Sequence, residues 1–87
     1  MDRVGIYEQL TEVFREVFGD DSIDVHPEMT AKDVVGWDSL ANIRLMLTIE
    51  RTFKVRFTAS QIGKLKNVAD LTALIEECLR IPNLRDK

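Results

Sequence analysis

Apolar residues in the first part of the chain fall at Ile6, Tyr7, Leu10, Val13, Phe14, Val17 and Phe18. This i, i+3, i+4, i+7 recurrence is the stripe of an amphipathic helix and predicts one from about Arg3 to Phe18. Asp2 stands where an N-cap is wanted, and Gly19 where a left-handed C-terminal cap is wanted. From Asp20 to Asp38 the periodicity stops. Ile23, Val25, Met29, Val34, Val35 and Trp37 are isolated apolar anchors in an acidic stretch that also holds Pro27 and Gly36. The stretch reads as a long ordered loop, with a short helical turn at Ala31–Val35 behind the capping residue Thr30. A connection of that length in so small a chain has a function or a specific packing role.

The next helix is expected from about Ser39 to Phe53. Leu40, Ile43, Leu45, Met46, Leu47, Ile49 and Phe53 make it apolar over more than one stripe. That breadth predicts a helix near the centre of a bundle, touching several neighbours. Lys54–Phe57 reads as a short extended link. Thr58 with Gln61 three residues on is a capping-box pattern for a helix of a turn or two, ending near Gly63. Asn67 caps a last helix from Val68 to about Arg80, with Asp70 in its first turn and Val68, Leu71, Leu74, Ile75, Cys78 and Leu79 as its stripe. Pro82 stops it, and residues 81–87 are expected to fray. No segment alternates as a strand. The expected fold is all-α: a small four-helix bundle of three main helices and a short third one, with a long loop between helices 1 and 2.

At 87 residues the chain is one domain, with its core expected over about residues 4–80, and 45% hydrophobic with 31% charged residues suits a globule rather than a disordered tail. No apolar run reaches membrane-spanning length, and MDRVGIYEQL lacks a signal peptide's layout, so a cytoplasmic protein is expected. Its length, the acidity of its first loop and the lack of a flanking linker suit a stand-alone protein, and a monomer is expected. Cys78 is the only cysteine, which excludes an internal disulfide and a thiolate cluster; it is expected to be a buried, inert thiol. His26 is the only histidine, which removes most metal and triad chemistry, and it reads as loop surface.

The net charge of −3 hides an asymmetry. Residues 1–38 carry a balance of −7, residues 39–67 one of +5. A charge run is usually a solvated face. Here the basic middle adjoins the stretch that carries chemistry, Gly36-Trp37-Asp38-Ser39-Leu40. With Asp38 as N-cap, Ser39 opens a helix, where unsatisfied N–H groups and the positive end of the macrodipole favour a phosphate-bearing group. On residue types alone, Asp38 and Ser39 read first as two competing caps for the helix start.

The order of elements and the triplet Asp38-Ser39-Leu40 resemble the acyl carrier protein family. So do Ile43, Leu45, Met46, Glu50 and Phe53, the short helix at Thr58–Gly63, and Asn67-Val68. The resemblance covers about residues 4–80. It implies a carrier, not an enzyme, serving fatty-acid, polyketide or related specialised biosynthesis. Its serine, here Ser39 between Asp38 and Leu40, takes a 4′-phosphopantetheine arm from coenzyme A, and acyl groups ride on the arm as thioesters. The implied partners are a phosphopantetheinyl transferase and acyl-loading, condensing or transferase enzymes. The implied lining for a folded-back acyl chain is Met46, Ile49, Phe53, Phe57, Ile62, Leu65, Leu71 and Leu74, each of which reads equally as plain core.

The chain departs from the family where general fatty-acid carriers show acids early in the second helix. It has Ala41 and Arg44 there, and Arg51, Lys54 and Arg56 further on. With Trp37, these are the expected partner-recognition residues of a specialised carrier. A serine hydrolase is excluded by the lack of a base and of a GxSxG elbow. A calcium loop from Asp20 fails at Val25 and Ala31. Nucleic-acid binding fails on overall acidity. Two alternatives remain: an aminoacyl or peptidyl carrier, against which Trp37 argues, and a non-carrier helical domain that docks an acidic partner on its basic face.

Overall fold

The computed structural model describes residues 2–80, and all regular structure among them is helical. Helices α1 (Arg3–Phe18), α2 (Ser39–Phe53), α3 (Ala59–Gly63) and α4 (Val68–Arg80) follow one another, with a single 3-10 turn at Ala31–Asp33 between α1 and α2. The expected fraying of residues 81–87 lies outside the described residues.

Local chemistry sets these boundaries. Asp2 accepts from the Gly5 N–H at 2.8 Å and opens α1, and Gly19, at φ 63°, closes it in the left-handed conformation that glycine adopts without a Cβ penalty. Thr58 and Gln61 form the reciprocal capping box of α3, at 2.8 and 3.0 Å. Asn67 Oδ1 accepts from the Asp70 N–H at 2.9 Å and caps α4. α2 ends on Lys54, which takes the left-handed conformation at φ 60° without being glycine.

The core is built from Ile6, Leu10, Val13 and Phe14 of α1, Leu45, Met46, Ile49 and Phe53 of α2, and Val68, Leu71 and Ile75 of α4. α1 packs against both α2 and α4. The long loop joins this core through Ile23, Val25, Met29 and Val34. It is also tied by backbone: the Met29 and Pro27 carbonyls each accept, at 2.9 Å, from the Val68 and Ala69 N–H groups at the start of α4. These bonds satisfy two of the N–H groups a helix start leaves open. On the other side, Glu50 Oε2 accepts from the Phe57 N–H at 2.7 Å and fixes the link before α3.

Two expectations are corrected. α2 is not surrounded: Leu40, Ile43 and Leu47 are 70%, 57% and 56% exposed. An apolar-rich helix can hold one core stripe and one solvent stripe, and its neighbours decide which. Here α1 is the element that packs on two others. Cys78 is half-buried rather than buried, with its Sγ donating weakly to the Arg56 carbonyl at 3.7 Å.

Candidate functional site

The end of the long loop delivers the chain to α2 through a tight turn. Gly36 sits at φ 90°, a left-handed value at which a side chain is strained. Its carbonyl accepts from the Asp38 N–H at 3.0 Å. Trp37 follows half-buried, edge-on to Phe14 at 5.3 Å between ring centroids and 6.0 Å from Phe18. Its indole N–H donates to Asn42 Oδ1 at 2.9 Å. The residues flanking Ser39 are therefore anchored both to α1 and to the first turns of α2.

Asp38 is the N-cap: one carboxylate oxygen accepts from the Ala41 N–H at 2.9 Å, and its carbonyl accepts from the Asn42 N–H at 2.8 Å. Among the described residues, the N–H groups of Ser39 and Leu40 have no acceptor, and Ser39 is exposed. The site thus presents a solvent-facing hydroxyl and two unspent N–H groups at the positive end of a 15-residue helix.

Beside Ser39 opens a cavity of about 380 Å³, bordered by α2, α3, α4, the segment between α3 and α4, and the loop residues Ala31 and Trp37. Its apolar side is Met46, Ile62, Leu65 and Leu71; its polar side is Asp38, Ser39, Asn42, Lys66 and Asn67. Of the eight residues expected to line an acyl cavity, the structure brings these four apolar ones together. Ile49 and Phe53 lie in the core, Phe57 packs half-buried against it, and Leu74 borders a separate depression with Gln61 and Lys64. Ala31, Asn42, Lys66 and Asn67 were not anticipated. Asn42 had a signal: at i+3 from Ser39 it shares that residue's helix face.

The expected partner-recognition residues separate into groups. Arg44 and Arg51 are exposed, and with Leu40, Ile43 and Leu47, exposed apolar residues outside that expectation, they fall at 100° per residue within an arc of about 100° on α2. Ala41 is half-buried, and Trp37 is held in the aromatic cluster rather than displayed. Lys54 is exposed at the far end of α2, about 22 Å from Ser39 at the rise of an α-helix, and Arg56 is exposed in the link that follows.

A family model described as "Phosphopantetheine attachment site" matches residues 8–75. The chain is similar to an acyl carrier protein of Helicobacter pylori, 30% identical over 74 residues, which are 85% of this chain and 95% of that protein. One from Acidothermus cellulolyticus is 34% identical over 61 residues, 70% of this chain and 73% of that one. Among solved structures, the solution NMR structure of a holo acyl carrier protein from Geobacter metallireducens is similar at a TM-score of 0.81 and 40% identity, covering 85% of each chain.

Proposed function

The chain belongs to the acyl carrier protein family, and from that premise we propose that it carries acyl groups on a 4′-phosphopantetheine arm attached to Ser39. The observation that carries the assignment is the exposed Ser39 hydroxyl at the mouth of the cavity, with the unspent Ser39 and Leu40 N–H groups beside it. When bound, the arm supplies a terminal thiol that holds acyl groups as thioesters.

Ser39 Oγ is the nucleophile toward the pyrophosphate of coenzyme A. Its bond to phosphorus forms, the bond to the 3′-phosphoadenosine 5′-phosphate leaving group breaks, and the hydroxyl proton passes to a base of the transferase. The residues lining the cavity beside Ser39 include no histidine, and their one carboxylate, Asp38, is engaged as the N-cap, which suits a carrier that is acted upon. The helix start stabilises the resulting phosphodiester charge, an effect on the order of 0.3–1 kcal/mol at an exposed site. Asp38 holds the first turn closed and keeps those N–H groups aimed outward.

The exposed α2 face supports a docking role toward acyl-loading, condensing or transferase enzymes. Its apolar residues Leu40, Ile43 and Leu47 lie beside Arg44 and Arg51, which share one edge of the face, so a complementary partner presents an apolar groove with carboxylates along one side.

The test is loading. With coenzyme A, Mg²⁺ and a promiscuous phosphopantetheinyl transferase, the protein should gain the mass of a single arm, and Ser39→Ala should gain none. Absence of an adduct on the folded wild type defeats the assignment.

A further inference from the structure

The cavity beside Ser39 is more polar at its mouth than a hydrocarbon chain requires. Trp37 Nε1 can only donate, so the Asn42 atom it meets at 2.9 Å is the carbonyl oxygen. The Asp70 backbone N–H likewise identifies its acceptor on Asn67, at 2.9 Å, as Oδ1. Each amide has its oxygen committed and its NH₂ group left over. Among the described residues, neither of these NH₂ groups has an acceptor, and neither has the Lys66 ammonium. All three residues line the cavity. Asp38 is the one carboxylate among the lining residues, and one of its oxygens is taken by the Ala41 N–H. The mouth is thus rich in donors above an apolar floor.

A saturated acyl chain entering there strips water from the half-buried Asn42 and Asn67 amides and returns no acceptor, and such unpaired polar groups are costly to leave. A chain with carbonyl or hydroxyl oxygens close to its thioester returns those acceptors. We propose that this cavity selects acyl groups oxygenated near the thioester, with the NH₂ groups of Asn42 and Asn67 and the ammonium of Lys66 as its specificity-determining donors. This rests on attachment of the arm at Ser39.

The test loads ¹⁵N-labelled protein with either a butyryl or a 3-oxobutyryl arm from the matching coenzyme A thioester and confirms each product by mass. The side-chain NH₂ resonances of Asn42 and Asn67 should move between the two forms. The oxygenated form should melt higher by about 4 °C or more, the shift expected for one added hydrogen bond in a domain this small. Asn67→Ser keeps a capping oxygen and removes the NH₂, and Lys66→Met removes the ammonium from an exposed position; each should narrow that gap. Full loading with superimposable NH₂ resonances and equal melting overturns the proposal while leaving the attachment intact. Shifts already complete with the unacylated arm assign the donors to the arm's own amides and also overturn it. No mass gain at Ser39 defeats the attachment and the proposal together.

Discussion

The indole N–H of Trp37 donates to Asn42 Oδ1 across 2.9 Å, and the two residues bracket Ser39 in the chain. The bond spans the junction between the loop and α2, while the ring packs edge-on to Phe14 and tilted against Phe18. A side chain first expected to meet partners instead holds the site in place. Trp37→Phe keeps most of the packing and loses the bond. It should cost about 1 kcal/mol, read as a fall of roughly 4–8 °C in melting midpoint. Trp37→Ala also loses the aromatic contacts and should cost about 3 kcal/mol in denaturant titration. Equal stability of Trp37→Phe and wild type would show that the bond contributes nothing.

The ends of the helices were legible because capping is a local matter. Asp2, Asp38, Thr58 with Gln61, and Asn67 each bond an N–H three residues on, a distance that the sequence alone fixes. What α2 does with its surplus apolar residues was not legible. Leu40, Ile43 and Leu47 have the same residue types as the buried Leu45 and Ile49, and only the placement of α1 decides which set meets solvent. The cavity was half legible for the same reason. Met46 and Leu71 follow from their stripes, but Lys66 and Asn67 reach the site through the path of the segment between α3 and α4.

Thr72 carries a different lesson. It is 1% exposed, and among the described residues its hydroxyl has no hydrogen-bond partner. A buried hydroxyl without a partner costs about 1–3 kcal/mol of desolvation. Thr72→Val, nearly the same in shape, should therefore stabilise the protein by about 1 kcal/mol in urea titration. A loss of stability would mean that the hydroxyl has a partner, such as a buried water.

Arg3 and Glu76 tie the start of α1 to α4: the guanidinium donates to the two carboxylate oxygens at 2.7 and 3.3 Å. The hydrogen bond from Arg3 is the main cause that lowers the Glu76 carboxyl below its ordinary pKa. A carboxylate depressed in the folded state adds stability above its unfolded pKa, and that stability is lost as pH falls through the folded value. Glu76→Gln should thus be less stable than wild type at neutral pH, and the gap should close as pH falls below the ordinary glutamate range. Both side chains are solvent-accessible, so 1 M salt should shrink the neutral-pH gap as well. A gap independent of pH would place the effect in packing rather than charge.

Arg44 and Arg51 sit on the face of α2 that also displays Leu40, Ile43 and Leu47. Glu50, the one acid of α2, is half-buried with an oxygen committed to the Phe57 N–H, so the exposed charge of this face is basic. Enzymes whose docking patches are basic should meet it with like charge, which slows encounter and costs several kcal/mol at close juxtaposition. General fatty-acid enzymes, which act on carriers with acids early in this helix, are the probe. They should elongate cargo on the wild-type protein slowly at low salt. The double variant Arg44→Glu, Arg51→Glu should accelerate them by about tenfold or more, mainly through association rate, with the gain fading as salt screens the pair. Both positions are exposed, so melting should change little, which separates docking from folding. Wild-type rates equal to those of the double variant would remove charge from partner choice and leave selection to the apolar residues of the same face.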